Sequence, residues 1–511
     1  MATPLFSGFR ERQAGVLLHP TSLPSSPGAG AIGAAARDFV DFAAECGFSW
    51  WQVCPLGPTG YGESPYQCFS AFAGNPLLID FAEVANSGLF DAADFEFVLP
   101  PAGTRENFAD FEGLRACLFP ALDRVWQVVR RDRARLDAIG DFQGFRKKHR
   151  AWLDDYALFC ALKKHFGGAP WTAWPAVARE HAAAVKAAWP DSVLEQVEAV
   201  IFQQFLFFTQ WDALRAHARR RGVGILGDTP IFVAHDSADL WAGTSFFQLN
   251  ADGAPAFVAG VPPDYFASAG QLWGNPLYDW AALKRDGYGW WMRRLRADLE
   301  LCDAVRVDHF RGFHDYWQVP ANAKDASKGR WKRGPGLDFF KTVRRVLGDV
   351  PLIAEDLGEL SAGVHTLRAT TGLPGMAVLQ FAFDGNGKNP HLPHNHTRDR
   401  AVYTGTHDNN TTRGWYEAAS EAERDRFRHY LGSDGSAPHW DLMRAAFTSP
   451  AALAVVPFQD IIGAGAEARF NTPGTVGGDN WRWRLTPAEL AHAKAFLAPN
   501  LRQLIAVSGR I

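Results

Sequence analysis

The 511-residue chain is 47% hydrophobic, 21% charged and 13% aromatic, a globular composition that excludes a disordered or fibrous protein. Formal net charge is -3, from 52 Lys+Arg against 55 Asp+Glu, so no basic field exists to hold a phosphate backbone and nucleic acid is not an expected partner. No stretch approaches the ~18 consecutive apolar residues of a membrane span, and the N-terminal residues hold no apolar signal core, so a cytoplasmic protein with no membrane partner is expected.

In chain order, short apolar runs recur, each ending in polar residues, and they predict buried parallel strands. They lie at 15–19 (GVLLH), 50–55 (WWQVCP), 223–228 (VGILGD), 304–308 (AVRVD), 351–355 (PLIAE), 376–381 (MAVLQF), 401–406 (AVYTGT) and 454–458 (AVVPF). Helical patterns fall between several of them. Residues 37–46 put Phe39, Phe42, Ala43 and Cys46 on one stripe before a capping Gly47, and residues 337–347 stop at Gly348. Near the end, Thr486, Pro487 and Glu489 supply an N-cap, a first-turn proline and a capping-box acid. Strands alternating with helices predict a (β/α)8 barrel, which needs only ~250 residues. The remainder is expected as insertions: a mainly helical one at about 76–222, between the second and third strands, and a loop-rich one at about 231–301, between the third and fourth. One catalytic unit spanning 1–511 follows, with no separate C-terminal β-domain.

The six cysteines (Cys46, Cys54, Cys68, Cys117, Cys160, Cys302) include no CxxC pair, so they are expected to be buried thiols rather than a zinc or disulfide set. His391, His394 and His396 cluster locally but have no carboxylate or Cys at ligand spacing, and no metal is expected. The GPTGYG run at 57–62 lacks the GK[ST] ending of a phosphate loop and is expected to be a turn presenting Tyr61 and Ser64. Trp50, Trp51, Trp171, Trp174, Trp273, Trp290, Trp291, Trp481 and Trp483 stand in loop-like sequence where a flat ring can face a cleft, although Trp171 and Trp174 suit a structural staple better. Aromatic faces beside acids suit sugars.

In a barrel, catalytic groups sit where strands end. Asp228, Asp308 and Glu355 each close a predicted strand, and Asp408 follows directly on another. Arg306, two residues before Asp308, shares its strand face and favours an ionised neighbour. A retaining glycosidase pair needs carboxylates about 5 to 5.5 Å apart; the sequence does not supply that distance, but Asp308 and Glu355 lie on adjacent predicted strands, whose ends a barrel brings close.

These residues lie in long ordered motifs that resemble the 4-alpha-glucanotransferases of glycoside hydrolase family 77, the amylomaltases or disproportionating enzymes. The motifs are LLHPTSLPS (17–25), GPTGYGESPYQCFSAFAGNP (57–76), GDTPIFVA (227–234), VAGVPPDYFASAGQLWGNPLY (258–278), RVDHFRGF (306–313), IAEDLG (353–358), THDNNTTRGW (406–415), NTPGT (471–475) and NWRWR (480–484). The resemblance implies Asp308 as nucleophile, Glu355 as general acid/base and Asp408 as a third carboxylate that binds sugar hydroxyls. It further implies Arg306, Asp228 and His407 around the reacting glucose, Ser64, Tyr66, Gln271 and Trp273 along the subsites, Tyr265 and Phe266 on a mobile loop over the cleft, and Tyr61 at a second glucan site. Partners would be maltooligosaccharides and alpha-1,4-glucans, with no cofactor. Asn410, Cys68 and Phe470 depart from the family pattern without touching the three acids. The rivals are an alpha-glucan hydrolase, in which water is the acceptor, and a non-catalytic glucan-binding protein. The full set of acids with Arg306 disfavours the second.

Overall fold

The computed structural model describes residues 4–25, 28–90, 106–263 and 269–511. Its strands in chain order are β1 Gln13–Leu17, β2 Trp50–Gln52, β3 Gly224–Pro230, β4 Phe257–Val261, β5 Gln271–Pro276, β6 Ala304–Asp308, β7 Asp315–Pro320, β8 Arg330–Arg333, β9 Leu352–Ala354, β10 Gly375–Val378, β11 Arg400–Tyr403 and β12 Leu453–Pro457. Eight of them form one parallel sheet in the order β10-β11-β12-β1-β2-β3-β6-β9, and each arises from one of the apolar runs identified in the sequence. Period-two alternation divides their side chains. Leu17, Leu226, Ile353, Met376, Tyr403 and Val455 fill the barrel interior. Val16, Trp51, Ile225, Val305, Ala377, Val402 and Val456 pack outward into the main hydrophobic core.

The barrel closes at the seam between β9 and β10, where the Ala354 N–H donates to the Pro374 carbonyl at 2.9 Å. Beside that bond Asp356 acts as a clasp. Its carboxylate accepts the Met376 N–H at 2.6 Å, pairs with Arg400 at 3.0 Å and lies 3.1 Å from Arg368 Nε. Gly375 is required here, because a Cβ would overlap the Asp356 carboxylate and the Arg400 guanidinium.

The predicted caps form. Gly47 ends helix Ala34–Cys46 with φ 88°, and its N–H reaches back to Ala43 and Ala44. Gly348 ends Leu337–Leu347 at φ 84°. The Thr486–Glu489 capping box opens Pro487–His492. After β12 the described residues contain no further strand.

Between β2 and β3 the described elements are helical, the longest being Phe111–Val129, Phe142–His165 and Asp191–Arg220. Asp110 and Asp141 cap the first two by accepting N–H groups two residues inside each helix. Trp126, Phe142, Phe145, Phe202 and Phe205 interlock among these helices. The segment expected to be loop-rich instead carries β4 and β5, which join β7 and β8 in an antiparallel sheet of order β5-β4-β7-β8. Its strands are short, β4 (FVAGV) and β5 are interrupted by Gly260 and Gly274, and β8 is largely exposed, so only β4 offers a brief apolar run.

Most of the tryptophans proposed to face a cleft are core instead. Trp51, Trp290, Trp291, Trp481 and Trp483 are buried; Trp171 and Trp174, expected as a structural staple, are buried too and donate their indole N–H groups to the His235 and Ala169 carbonyls. His391 accepts the Val378 N–H, and His396 bonds Ser449.

If Asp356 clasps the seam, Asp356→Ala leaves two arginines facing an empty buried site and should destabilise the fold by roughly 3–5 kcal/mol. Denaturant unfolding followed by tryptophan fluorescence measures this, and a loss below about 1 kcal/mol, the scale of an exposed pair, would assign closure to the backbone alone.

Candidate active site

The acids collect at the C-terminal ends of the barrel strands. Register pairs Asp228 on β3 with Arg306 on β6, so both side chains point into the mouth. Arg306 Nη1 donates to both Asp228 oxygens at 2.8 and 2.7 Å, and Nη2 lies 2.9 Å from Asp308 Oδ1. Its Nε contacts the Met376 sulfur beneath it at 3.4 Å. The Tyr66 hydroxyl donates to Asp228 Oδ2 at 2.8 Å. The chain Tyr66–Asp228–Arg306–Asp308 is thus fixed at each link, with Asp308 the more exposed acid of its pair. Burial pushes the Asp228 carboxyl up to about 6, against the pull of Arg306.

Glu355 follows β9, one register step beyond the Val307–Ala354 pair, and so stands beside Asp308. Its Oε2 accepts the His309 N–H and its Oε1 the Leu357 N–H, both at 2.8 Å. Burial and the Asp308 charge nevertheless push this carboxyl up to about 7, against Arg306 and those two donors. His309 is held left-handed at φ 51°, a conformation uncommon outside glycine that places its N–H on Glu355. Its ring meets Trp273 edge-on at 4.8 Å, and burial lowers it to about 4. Trp273 in turn donates to Gln271 on the same strand, β5, at 3.2 Å.

Asp408 follows β11 in the THDNN turn. The Asn471 amide donates to its Oδ1 at 2.6 Å and His407 Nε2 lies 3.4 Å from its Oδ2, while Arg469 donates to its carbonyl at 2.8 Å. Against the upward push of burial, His407 and Asn471 hold the Asp408 carboxyl down at about 2. His407 rises in turn, Asp408 outweighing burial. The His407 ring stacks on Tyr66 with centroids 5.0 Å apart, and Trp481 closes against both.

The GPTGYG run forms the expected turn. Ser64 Oγ accepts the Tyr66 N–H at 3.2 Å, shaping the loop that delivers Tyr66. Glu63, left-handed at φ 60°, is clamped by both Arg115 nitrogens. Tyr61 stands outside the mouth, 79% exposed. Tyr265 and Phe266 lie outside the described residues. The structure adds Asn471, Arg469, Trp481 and His309 as supports of the acids. Asn471 and Trp481 stand in the NTPGT and NWRWR motifs, which were visible in the sequence but pointed to no role.

A parallel barrel that gathers four carboxylates at its mouth, with Glu355 pushed up to about 7 and Asp408 held down at about 2, defines the class of barrel enzymes acting on glycosidic bonds. The profile of glycoside hydrolase family 77, described as 4-alpha-glucanotransferase, matches residues 18–490. The chain is 48% identical over 488 residues to a 4-alpha-glucanotransferase of Thermus thermophilus, covering 94% of this chain and 96% of that one. It is 45% identical to one of Synechocystis, covering 94% and 95%. Its fold matches an amylomaltase from Streptococcus agalactiae in complex with acarbose at TM-score 0.91 and 34% identity, over 98% of this chain and 100% of that one. The chain belongs to family 77 and is a 4-alpha-glucanotransferase, an enzyme of glucan metabolism.

Arg306 meets two acids with different nitrogens, which one ammonium cannot imitate. Arg306→Lys should therefore keep the far-UV spectrum while kcat/KM on maltotriose falls roughly a hundredfold, the scale of a small misplacement of reacting groups. A loss under about threefold would show that charge alone suffices there.

Proposed function

We propose that Asp308 is the nucleophile, Glu355 the general acid/base and Asp408 the acid that binds sugar hydroxyls, in a retaining double displacement. Asp308 attacks the anomeric carbon while Glu355 protonates the departing oxygen. The 4-OH of an acceptor glucan then gives its proton to Glu355 and displaces the enzyme, restoring the original configuration. The observation that carries this assignment is the pairing of an Arg306-bound Asp308 with a neighbouring carboxyl that holds its proton near neutral pH. Asp228 and Tyr66 orient Arg306, and His407 and Asn471 orient Asp408. Ser64, Gln271 and Trp273 line the donor and acceptor subsites, and Trp273 offers a ring for a glucose face. Tyr265 and Phe266 cover the bound chain and keep water from the intermediate. Tyr61, exposed beyond the mouth, contacts a second glucan.

The substrates are maltooligosaccharides and longer alpha-1,4-glucans. One catalytic unit spans the chain, with the 76–222 and 231–301 insertions building the cleft walls. Among the described residues no helix is long and apolar enough to cross a membrane, which agrees with a cytoplasmic enzyme.

Incubation with maltotriose followed by separation of products tests the transfer. A ladder of longer oligosaccharides plus glucose is expected; glucose and maltose alone would mean hydrolysis. Asp308→Asn should give no ladder, and retention of even a tenth of the wild-type rate would remove it as nucleophile.

Because Glu355 acts protonated in the first step and its carboxyl sits at about 7, turnover of maltotriose should fall about tenfold per pH unit above that value. A rate flat between about pH 7 and 9 would contradict its role as the acid.

A further inference from the structure

A cavity of about 240 Å³ opens between the helices Phe142–His165 and Gly289–Leu301. None of the acids at the barrel mouth lines it. One wall is aromatic. Phe72 and Trp152 lie near-parallel with centroids 6.4 Å apart, Phe208 stands 6.0 Å from Trp152, and Trp290 meets Phe72 edge-on at 6.1 Å.

Within this wall sits a polar group without a partner. His149 is 8% exposed, its ring lying against Trp152 and Phe208 at 5.6 and 5.0 Å. Burial lowers it to about 4, so at neutral pH the ring carries one donor and one acceptor. Neither nitrogen bonds another group among the described residues. Its ring nitrogens are not among the buried unsatisfied atoms of the described residues; they open toward the cavity that His149 lines, where a ligand can meet them.

Charge is sorted around the opening. Lys148 pairs with Glu300 at 3.3 Å, and Asp155 with His181 at 2.7 Å. Asp239 accepts the Ala71 N–H at 2.7 Å. Arg293 and Arg296 are neighbours at i and i+3 on Gly289–Leu301, both exposed and both lining the cavity. Neither has an ion pair among the described residues. Two uncompensated guanidinium groups side by side are the donor arrangement that best matches a phosphate. An aromatic face with a neutral imidazole and carboxylate oxygens beside it suits a ring bearing hydroxyls. At about 240 Å³ the space is below the ~300–1,000 Å³ of drug-sized sites, which fits one small ring and not an oligosaccharide.

We propose that this cavity is a second ligand site, for a phosphorylated monosaccharide, with the phosphate on Arg293 and Arg296 and the sugar against Trp152 and Phe72. The helix that lines the site also reaches the barrel. Arg294, between the two phosphate-binding arginines, turns the other way and donates to the Pro230 and Ile231 carbonyls at the end of β3, two residues beyond Asp228.

Calorimetric titration of the full chain with glucose 6-phosphate, and separately with inorganic phosphate, tests this. Arg293→Gln/Arg296→Gln removes the anion contacts, and Ala297→Trp fills the cavity from its lining. Glucose 6-phosphate should bind one equivalent, at least tenfold tighter than inorganic phosphate. Each variant should weaken it at least tenfold while keeping maltotriose turnover, which reports an intact fold. Three results would overturn the proposal: no binding of glucose 6-phosphate, equal binding of inorganic phosphate, or unchanged affinity in the double arginine variant, which would place the ligand elsewhere.

Discussion

One guanidinium organises the barrel mouth. Arg306 is almost fully buried between Asp228 and Asp308, and taking such a charge out of water costs several kcal/mol unless its partners are fixed in place. Register fixes them. Asp228 is the cross-strand partner of Arg306, and Asp308 lies two residues along the same strand, on the same face. The Met376 sulfur and the Tyr66 hydroxyl complete the packing. The adjacent Glu355 is buried and faces the Asp308 charge, and these together, against the pull of Arg306, keep its proton to about 7. Across the mouth Asp408 has its own supports in His407 and Asn471 and stays ionised far below that. Acids of one chemical type thereby acquire different protonation states from geometry alone, which is the requirement for acid and nucleophile to act together at one pH.

The supports of this arrangement come from distant parts of the chain. Tyr66 arrives on a turn held by Glu63 and Arg115, a residue of the long helix Phe111–Val129. Asn471 and Trp481 arrive from the segment after β12. The strands offer a rigid frame, closed at the β9–β10 seam by Asp356, the residue next to Glu355. The loops bring second partners to each acid. Left-handed backbone at Glu63, His309 and Trp481 falls at the points where such loops must turn sharply to deliver a contact, where local strain is tolerated because surrounding structure holds it.

How much was legible in the sequence follows from the same division. Buried parallel strands are apolar on both faces and read as continuous runs such as VGILGD and AVRVD, so the barrel and the placement of Asp228, Asp308, Glu355 and Asp408 at its mouth were evident. Helix ends at Gly47 and Thr486 were evident because capping is local chemistry. The second sheet was not. Strand β8 reads Arg-Trp-Lys-Arg, a pattern set by its neighbour β7 and not by burial. The tryptophans misled for a related reason: residues beside Gly and Pro look loop-like, yet Trp290 and Trp291 lie in a helix and Trp51 on a strand, all packed into the core. The roles of Asn471 and Arg469 were invisible because they depend on a loop more than sixty positions from Asp408 returning to it.

The central claim is that Asp308, and no other acid at the mouth, forms the bond to sugar. It is tested most directly by trapping that bond. Glu355→Gln incubated with maltotriosyl fluoride blocked at its terminal 4-hydroxyl cleaves the fluoride without needing the acid but lacks the base for the second step. Mass spectrometry of the digested protein should then find a maltotriosyl adduct on the peptide containing Asp308. An adduct on Asp228 or Asp408, or complete fluoride release with no adduct at all, would contradict the account.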